Sequence, residues 1–523
     1  MASPRRPQIL PAPHRVAAPS RLRAIGLAKS FLDRKETLPK IRNLYRWILG
    51  ILLVGGGLGT LGCNPTAPET KNPSSSNASA PPLRLILVDS APLEAELALR
   101  WQTVSEQKLT IENKSRGAFN QEDVSPVDVI VYPADFLGTL VDRGWITSIP
   151  ASILYNDRDA NPAGDTPTTK SDGIRSPVSA QWPPRWRSVA LYGGKTMGVP
   201  LGAPCWLAIQ RELDISPLLK LHQAIGSNQN TSTQCDALWN AFLEKGESQL
   251  ADKLAAHRAQ LAEALTQVTP ESKRHLVARY LWMMSTTESR FRGMFDLFTL
   301  QSRLNQPEFA RTARHLHRLA VLEPQTILAD PVTAWESVAE GKARFGIGWP
   351  RSDSQQRLDA SDAKQSSVLP IAWNGADGLI VSMGKRTRQS ANATALIQWL
   401  IAEEQRLALQ ALTPRAEPLE IDDDRNVIRV DYREYQTTQR LEAANLSMEL
   451  TPRFVGAERW VDLLGDALVD ILRAPETAES RLTECKKQCD ALVETIGKER
   501  VRTSLEAASG YSKSNENRLS EGP

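Results

Sequence analysis

Residues 127–150 read VDVIVYPADFLGTLVDRGWITSIP, and the order of residue types in this stretch decides the fold class. Val127, Val129, Ile130 and Val131 make a short β-branched run, which predicts a buried strand over 127–131. Asp135 and Gly144 then bracket a short helix over 136–142. Working outward toward the N-terminus, LRLILV at 83–88 is a second apolar run, residues 92–106 carry apolar positions at helical spacing, and KLTIE at 108–112 reads as a further strand. Strands alternating with helices at this spacing argue an α/β chain with a parallel sheet, whose ligands bind beyond the carboxyl ends of the strands. Tyr132, Pro133, Ala134 and Asp135 occupy that place after the 127–131 strand.

Working outward toward the C-terminus, a Pro- and Trp-rich interlude at 181–187 leads to LYGGKTMGVPLGAPCWLAIQ at 191–210. Two glycines make a turn, and Pro200 and Pro204 keep the extended stretch out of a central ladder, which suits a crossing between lobes. Helical patterns follow over 235–245, 248–267, 271–284, 295–304 and 307–322. Residues 341–350 return to strand chemistry, 369–372 and 378–382 are further strand candidates, and 391–412 is an apolar-faced helix. Helical patterns over 457–472 and 476–496 precede a Ser-, Asn- and Gly-containing tail, residues 509–523, expected to be disordered.

The chain has 523 residues, about three or four times the usual single-domain length, so one compact core is excluded. Its formal net charge of +3 conceals a division. Residues 1–62 carry eleven Lys and Arg against Asp33 and Glu36, so the remainder is net acidic and offers no electrostatic footprint for nucleic acid. Lys40, Arg42 and Arg46 precede an uncharged run over 47–62 that is sixteen residues long, six of them Gly, which is short for a bilayer span and has signal-peptide architecture. Residues 63–82 follow as a flexible tether. Gly57, Gly59 and Gly62 satisfy the spacing G-x-G-x-x-G, but inside an apolar run with no preceding strand they make no phosphate loop. Cys485 and Cys489 stand i, i+4 on a helical stretch, too far apart for an unstrained disulfide and with no His close by to complete a zinc set. The six His are scattered, and neither H-E-x-x-H nor G-x-S-x-G occurs. No catalytic constellation and no cofactor or metal site is legible.

Leu61, Gly62 and Cys63 resemble the end of a bacterial lipoprotein signal, in which the Cys becomes lipidated and, after cleavage, the new N-terminus; Thr60 stands where that pattern has an aliphatic residue. The resemblance implies an extracytoplasmic, periplasmic protein held to a membrane through a lipid on Cys63. An uncleaved single-pass anchor is the other reading, and it also places the body outside the inner membrane. Four stretches, 127–150, 192–214, 331–351 and 375–404, resemble in this order the extracellular solute-binding proteins of bacterial ABC importers, in particular the maltose-binding-like group. What the resemblance implies is a type II two-lobed periplasmic-binding-protein-like fold with a cleft between lobes and a helix-rich second lobe. Its expected division is lobe 1 over 83–200 and 366–412, lobe 2 over 201–365, and a C-terminal helical part over 413–508.

The same resemblance places Tyr132 and Asp135, Trp206, Trp349 with Arg351, and Trp373 with Asn374 in the ligand cleft. An Asp accepts hydroxyl protons and an aromatic face stacks on the C–H face of a pyranose, so sugar sites want both types. Plainer readings stand beside these: core packing for each Trp, an N-cap for Asp135 on the helix at 136, and a solvated pair with Asp353 for Arg351. Pro204 stands where a maltodextrin binder has a carboxylate, so that ligand is not assumed. The expected function is capture of a small polar ligand, a carbohydrate first, for an ABC permease by hinge closure, with no bond made or broken. A ligand sensor or scaffold on the same fold is the alternative, and a carbohydrate-active enzyme, which needs a second cleft carboxylate, a weaker one.

Overall fold

Three strands near the start of the body pair into one sheet, and lobe 1's part of the candidate site stands at their ends. The computed structural model describes residues 81–121, 127–154, 182, 184–202, 204, 206–211, 217, 220, 232–287, 294–296, 298–349, 366–369, 378–410, 412–413 and 452–509. The chain divides into two units, Met1–Ala78 and Ser79–Pro523, and all described residues belong to the second. Among them no helix is long and apolar enough to cross a membrane.

In chain order the first elements are β1 (Leu83–Val88), α1 (Leu93–Val104), β2 (Leu109–Lys114), α2 (Arg116–Gln121), β3 (Val129–Pro133), a 3-10 turn (Ala134–Phe136), α3 (Leu137–Asp142), β4 (Ile146–Thr147), α4 (Ala151–Leu154), α5 (Pro184–Ala190), β5 (Leu191–Tyr192), β6 (Lys195–Thr196) and β7 (Val199–Gly202). The chain then passes to β8 (Leu207–Arg211), α6 (Ser232–Gln249), α7 (Leu254–Ala264), α8 (Pro270–Thr287), α9 (Pro307–Leu322), α10 (Pro324–Ile327), α11 (Pro331–Ala339), β9 (Phe345–Gly348) and β10 (Ser366–Leu369). It returns through β11 (Leu379–Gly384), α12 (Ser390–Ile401) and α13 (Glu403–Gln410), and closes with α14 (Ala457–Arg473), α15 (Ala478–Ile496) and α16 (Lys498–Ala508).

The first sheet runs β2-β1-β3-β11-β4, with β7 also on β11. The pairs β1–β2 and β1–β3 are parallel, with Leu85 opposite Ile111 and Val129. The return strand β11 is antiparallel to β3, with Ile380 opposite Tyr132, so the sheet is mixed rather than parallel throughout. β1 and β3 are buried along almost their whole length, the continuous apolar pattern of strands covered on both faces. Burying one such Val, Leu or Ile side chain stabilises the fold by about 1.5–3 kcal/mol, and these strands with Trp186, Leu396 and Ile397 make the core of lobe 1.

The second sheet, β10-β8-β9, is antiparallel and small. Lobe 2 is instead built from helices, its core formed by α6, α8, α9 and, from the far end of the chain, α14 and α15. Asp330 starts α11 by accepting from the Val332 and Thr333 amides at 3.1 and 3.0 Å, with Pro331 at the first helical position, where no amide is lost. α16 belongs to neither lobe alone: Val501 packs in the lobe 2 core and Ala508 in that of lobe 1.

Predicted elements differ at several places, and the helix expected over 391–412 is divided at Ala402 into α12 and α13. The helix expected over 295–304 is a tight turn closed by a Phe295–Ser302 bridge, because the Asp296 carboxylate takes the Phe298 and Thr299 amides and Leu300 adopts φ 59°. The single helix expected over 248–267 is broken by the 3-10 turn Ala251–Lys253 between α6 and α7. Of the strand expected at 369–372, Leu369 is described, and it ends the strand Ser366–Leu369. Residues 370–372 and the tail from 510 lie outside the described residues.

Candidate functional site

At the carboxyl ends of β1, β2 and β3 the chain presents one charged side chain each. Asp89 follows β1 at φ 49°, a conformation Asp tolerates better than most residues, and its Oδ1 accepts the Arg116 amide at 3.0 Å. Arg116 opens α2 after β2, and its Nη2 donates to the carboxylate of Asp135, which stands in the 3-10 turn after β3. The two side chains are 6 and 9% exposed, and the guanidinium also lies over the Phe136 ring at 4.8 Å.

Lobe 2 meets this group with α14 and α8. Arg116 Nη2 reaches the Glu458 carbonyl at 3.4 Å, and its Nε lies 3.6 Å from Asp462. Thr139 on α3 donates to Glu458 at 2.9 Å and accepts the Gly456 amide at 3.0 Å, which fixes the start of α14 against lobe 1. That approach requires Gly138, since a Cβ there would lie 2.2 Å from the Arg453 carbonyl oxygen. Arg274 on α8 stands 3.8 Å from Asp89 and 3.5 Å from Glu271. Arg116, Asp135, Asp89, Arg274, Glu458 and Asp462 therefore form one polar junction between the lobes.

The electrostatics follow from burial. Desolvation works against the charge on Arg116, but Asp135, then Asp462 and Glu458, outweigh it and hold its pKa above the ordinary arginine value. Burial raises the Glu458 pKa, and Asp135 adds to the rise. Burial also raises Asp462, where repulsion from Asp135 and Asp466 opposes the pull of Arg116 and Arg274.

Of the residues expected at the site, Asp135 stands at this junction. It does not occupy an N-cap position: those of the 3-10 turn and of α3 are Pro133 and Phe136. Tyr132 does not join it. Ser382 donates to the Met197 carbonyl at 2.8 Å, which leaves the Tyr132 hydroxyl to donate to Ser382 at 2.8 Å, and the ring is wholly buried between β3 and β11. Burial pushes the phenol well above its usual pKa. The expectation of an open stacking face at Tyr132 is thus corrected to a core position.

Trp206 and Trp349 come together on the lobe 2 side, edge to face at 4.9 Å, but both are buried. Trp206 also meets His275, the neighbour of Arg274 in sequence, at 6.1 Å. Its face is covered at 5.3 Å by Arg279, whose three nitrogens donate to the carbonyls of Ile347, Ile327 and Ala329 at 2.7–3.1 Å. Burial lowers the Arg279 pKa to about 9. Arg351, Trp373, Asn374 and Cys63 lie outside the described residues. Cys485 and Cys489 are buried free thiols with Sγ atoms 3.9 Å apart. Among the described residues no group of His, Cys, Asp and Glu is placed to hold a metal ion.

Sequence reasoning missed Asp89, Arg116, Arg274, Glu458 and Asp462. The crevice rule that found Asp135 reaches Asp89 and Arg116 when applied to the ends of β1 and β2. Glu458 and Asp462 stand i, i+4 in α14, which also carries Arg459, Asp466, Asp470 and Arg473, so the sequence shows an amphipathic helix and does not single the two out.

No family model and no curated protein matches the chain. Solved structures do. An ABC transporter solute-binding protein from Agrobacterium radiobacter K84 in complex with ribitol aligns over 78% of this chain and 98% of its own, at 14% identity and a TM-score of 0.50. Maltose-bound MalE3 of T. maritima aligns over 78% and 100% at 13% identity and a TM-score of 0.47, and the sugar-binding protein MalE of Xanthomonas citri over 80% and 98% at 13% and 0.47. With its mixed first sheet, helix-rich second lobe and polar junction between them, the chain has the type II two-lobed α/β fold of the ABC-transporter solute-binding proteins.

Proposed function

We propose that this protein is an extracytoplasmic solute-binding protein that captures a small polyhydroxylated ligand, a sugar or polyol, between its lobes and delivers it to an ABC permease. The observation that carries the reading is the junction itself: the ends of three neighbouring strands of one lobe each present a charged side chain to α8 and α14 of the other. Charged donors and acceptors held in a cleft of low dielectric bind hydroxyl groups more strongly than they would in water. A ligand touching both lobes favours the arrangement in which they meet, and it shifts that equilibrium only by its differential affinity. Asp135 is the ligand carboxylate of this reading. Trp206 and Trp349 support the lobe 2 wall, and Arg351, Trp373 and Asn374 complete the set carried over from the family. The ribitol held by the Agrobacterium protein supports a polyol or sugar. Residues 1–63 serve as export signal and lipid-attachment segment, with Cys63 as the acylated residue. The role is binding rather than catalysis.

Thermal-shift screening against sugars, polyols, amino acids, polyamines and inorganic anions tests the proposal, since a ligand that binds only the native state raises the unfolding temperature. A rise with sugars or polyols is expected. A rise confined to amino acids or inorganic anions would overturn it.

A further inference from the structure

α16 carries two binding faces, and each meets a different lobe. Arg500, Ser504, Ala507 and Ala508 recur at i, i+4, i+7 and i+8, one stripe of a helix. The Arg500 guanidinium pairs with Asp142 at the end of α3, the Ser504 hydroxyl meets that of Tyr192 on β5, and Ala507 and Ala508 pack against the lobe 1 core. Val501 and Leu505, i and i+4 on the neighbouring stripe, pack in lobe 2, where Arg502 donates to the Phe298 carbonyl at 3.4 Å. Ser504 also accepts the Val455 amide at 2.6 Å, so its one hydroxyl joins Tyr192 of lobe 1 to Val455 in the core of lobe 2.

The last turn of α16 is tied to lobe 1 through its own backbone. The Gly193 amide, in the turn between β5 and β6, donates to the Ala507 carbonyl at 2.9 Å. Arg453 Nη2 donates to the Ala508 carbonyl at 2.8 Å, and its Nη1 donates to the Leu191 carbonyl of β5 at 3.0 Å. Carbonyls that a helix end leaves without intrahelical partners are thus taken by lobe 1 and by an arginine bridging to it. The two faces differ in strength. Val501 is wholly buried in lobe 2, whereas the lobe 1 face consists of hydrogen bonds, two alanines that bury little apolar surface, and an ion pair whose Arg500 side chain is 59% exposed. α16 is therefore fixed to lobe 2 and releasable from lobe 1.

None of these contacts belongs to the charged junction: α3 begins beside Asp135 and meets α16 only at its far end, Asp142. Because α16 holds both lobes, movement of one against the other breaks one set of contacts. We propose that α16 is a latch: it keeps the lobes together before ligand arrives, and the site opens when its lobe 1 face lets go. The inference rests on the ligand-capture reading for what the latch controls, but its test needs no ligand. Contacts made only when the lobes meet favour that arrangement as a bound ligand does, and the apparent Kd is the intrinsic Kd divided by the fraction already in the binding arrangement. The latch thus raises affinity without touching the ligand.

Pulsed electron–electron resonance on the full chain without added ligand tests it. The chain carries Cys63→Ser and Cys205→Ser, the thiols of Cys235, Cys485 and Cys489 being buried, and nitroxides on Glu94→Cys in lobe 1 and Gln267→Cys in lobe 2, exposed positions close in sequence to Asp89 and Arg274, which face each other across the lobes. One narrow distance is expected. Tyr192→Phe with Arg500→Ala removes two attachments of the lobe 1 face and no core surface, and should add a longer distance with a share at least several-fold above that of the parent; Arg500→Ala alone should do so to a smaller degree. Distances identical in the parent and the double variant overturn the latch. A double variant that loses its cooperative unfolding transition, with Arg500→Ala leaving the distances unchanged, makes α16 an ordinary part of the core and overturns it as well. Failure of every sugar and polyol in the thermal-shift screen, with the latch seen here, overturns the capture reading alone.

Discussion

Removing the Asp135 carboxylate while leaving Arg116 in place exposes how the two lobes are joined. Both side chains are withdrawn from water, at 9 and 6% exposure, and Asp135 is the nearest counter-charge of the guanidinium. Breaking such a pair at one partner leaves a buried, uncompensated charge and costs about 3–5 kcal/mol, whereas replacing both partners by apolar groups is often close to neutral. Here Asp462 and Glu458 partly compensate Arg116 once Asp135 is gone, so the expected loss for Asp135→Ala is at the lower end, about 3 kcal/mol. Adding Arg116→Met should return a large part of it, giving a coupling of about 2 kcal/mol between the two positions. Against a total stability on the order of 5–15 kcal/mol, the single change is readily measured. The assay is urea unfolding followed by tryptophan fluorescence, with circular dichroism as a second probe of whether the transition is two-state. A loss below about 1 kcal/mol for Asp135→Ala, or strictly additive losses in the double variant, would refute the buried pair; a cap also costs about 0.5–2 kcal/mol to remove, but its loss would be indifferent to Arg116.

Gly138→Ala should destabilise the protein by about 1–3 kcal/mol or more, although alanine favours a helix, because the new Cβ would meet backbone atoms of Arg453, Phe454 and Val455 at 2.2–2.8 Å; an unchanged or raised urea midpoint would contradict the docking of α14 on α3. Glu323 is 6% exposed, and burial raises its pKa from 4.5 to about 7 against the opposing Arg344 amide bond at 3.2 Å. The folded state therefore holds a proton that the unfolded state has lost, so stability falls by up to about 3 kcal/mol as pH rises from about 4.5 to about 7. Glu323→Gln should flatten that part of the curve, and an unaltered pH profile would count against the assignment. Cys63→Ala should abolish fatty-acid labelling and leave the precursor at full length, whereas the wild type is labelled and shortened, as read by labelling and gel mobility; a wild type that carries no label and keeps its full length would favour an uncleaved anchor.

The strand and helix order of the first lobe was legible because β1 and β3 carry their burial in their composition: runs of Leu, Ile and Val need no partner to be recognised. Asp135 was legible for the related reason that a carboxylate directly after such a strand has one topological place to stand. Tyr132 misled because an aromatic beside that carboxylate looks like a stacking platform, while the Ser382 hydroxyl that captures it lies 250 residues away. Trp206 misled similarly: its covering groups, His275 and Arg279, come from α8 and leave no trace near it in sequence. The other half of the junction was hidden by distance along the chain, since Glu458 and Asp462 reach Thr139 and Arg116 from more than 300 positions downstream. The turn at 295–302 shows the converse limit, a helical spacing overruled by one Asp that binds its own following amides.

The central claim is that ligand is held by both lobes at once. Calorimetric Kd values for the tightest-binding sugar or polyol, measured on wild type and on Asp89→Asn and Arg116→Met in lobe 1 and Arg274→Met and Asp462→Asn in lobe 2, test it most directly. Loss of one hydrogen bond to a charged group is worth about 1.5–3 kcal/mol, so at least a tenfold weakening is expected from variants on each side. Weakening confined to one lobe, with the other pair at wild-type affinity, would contradict it.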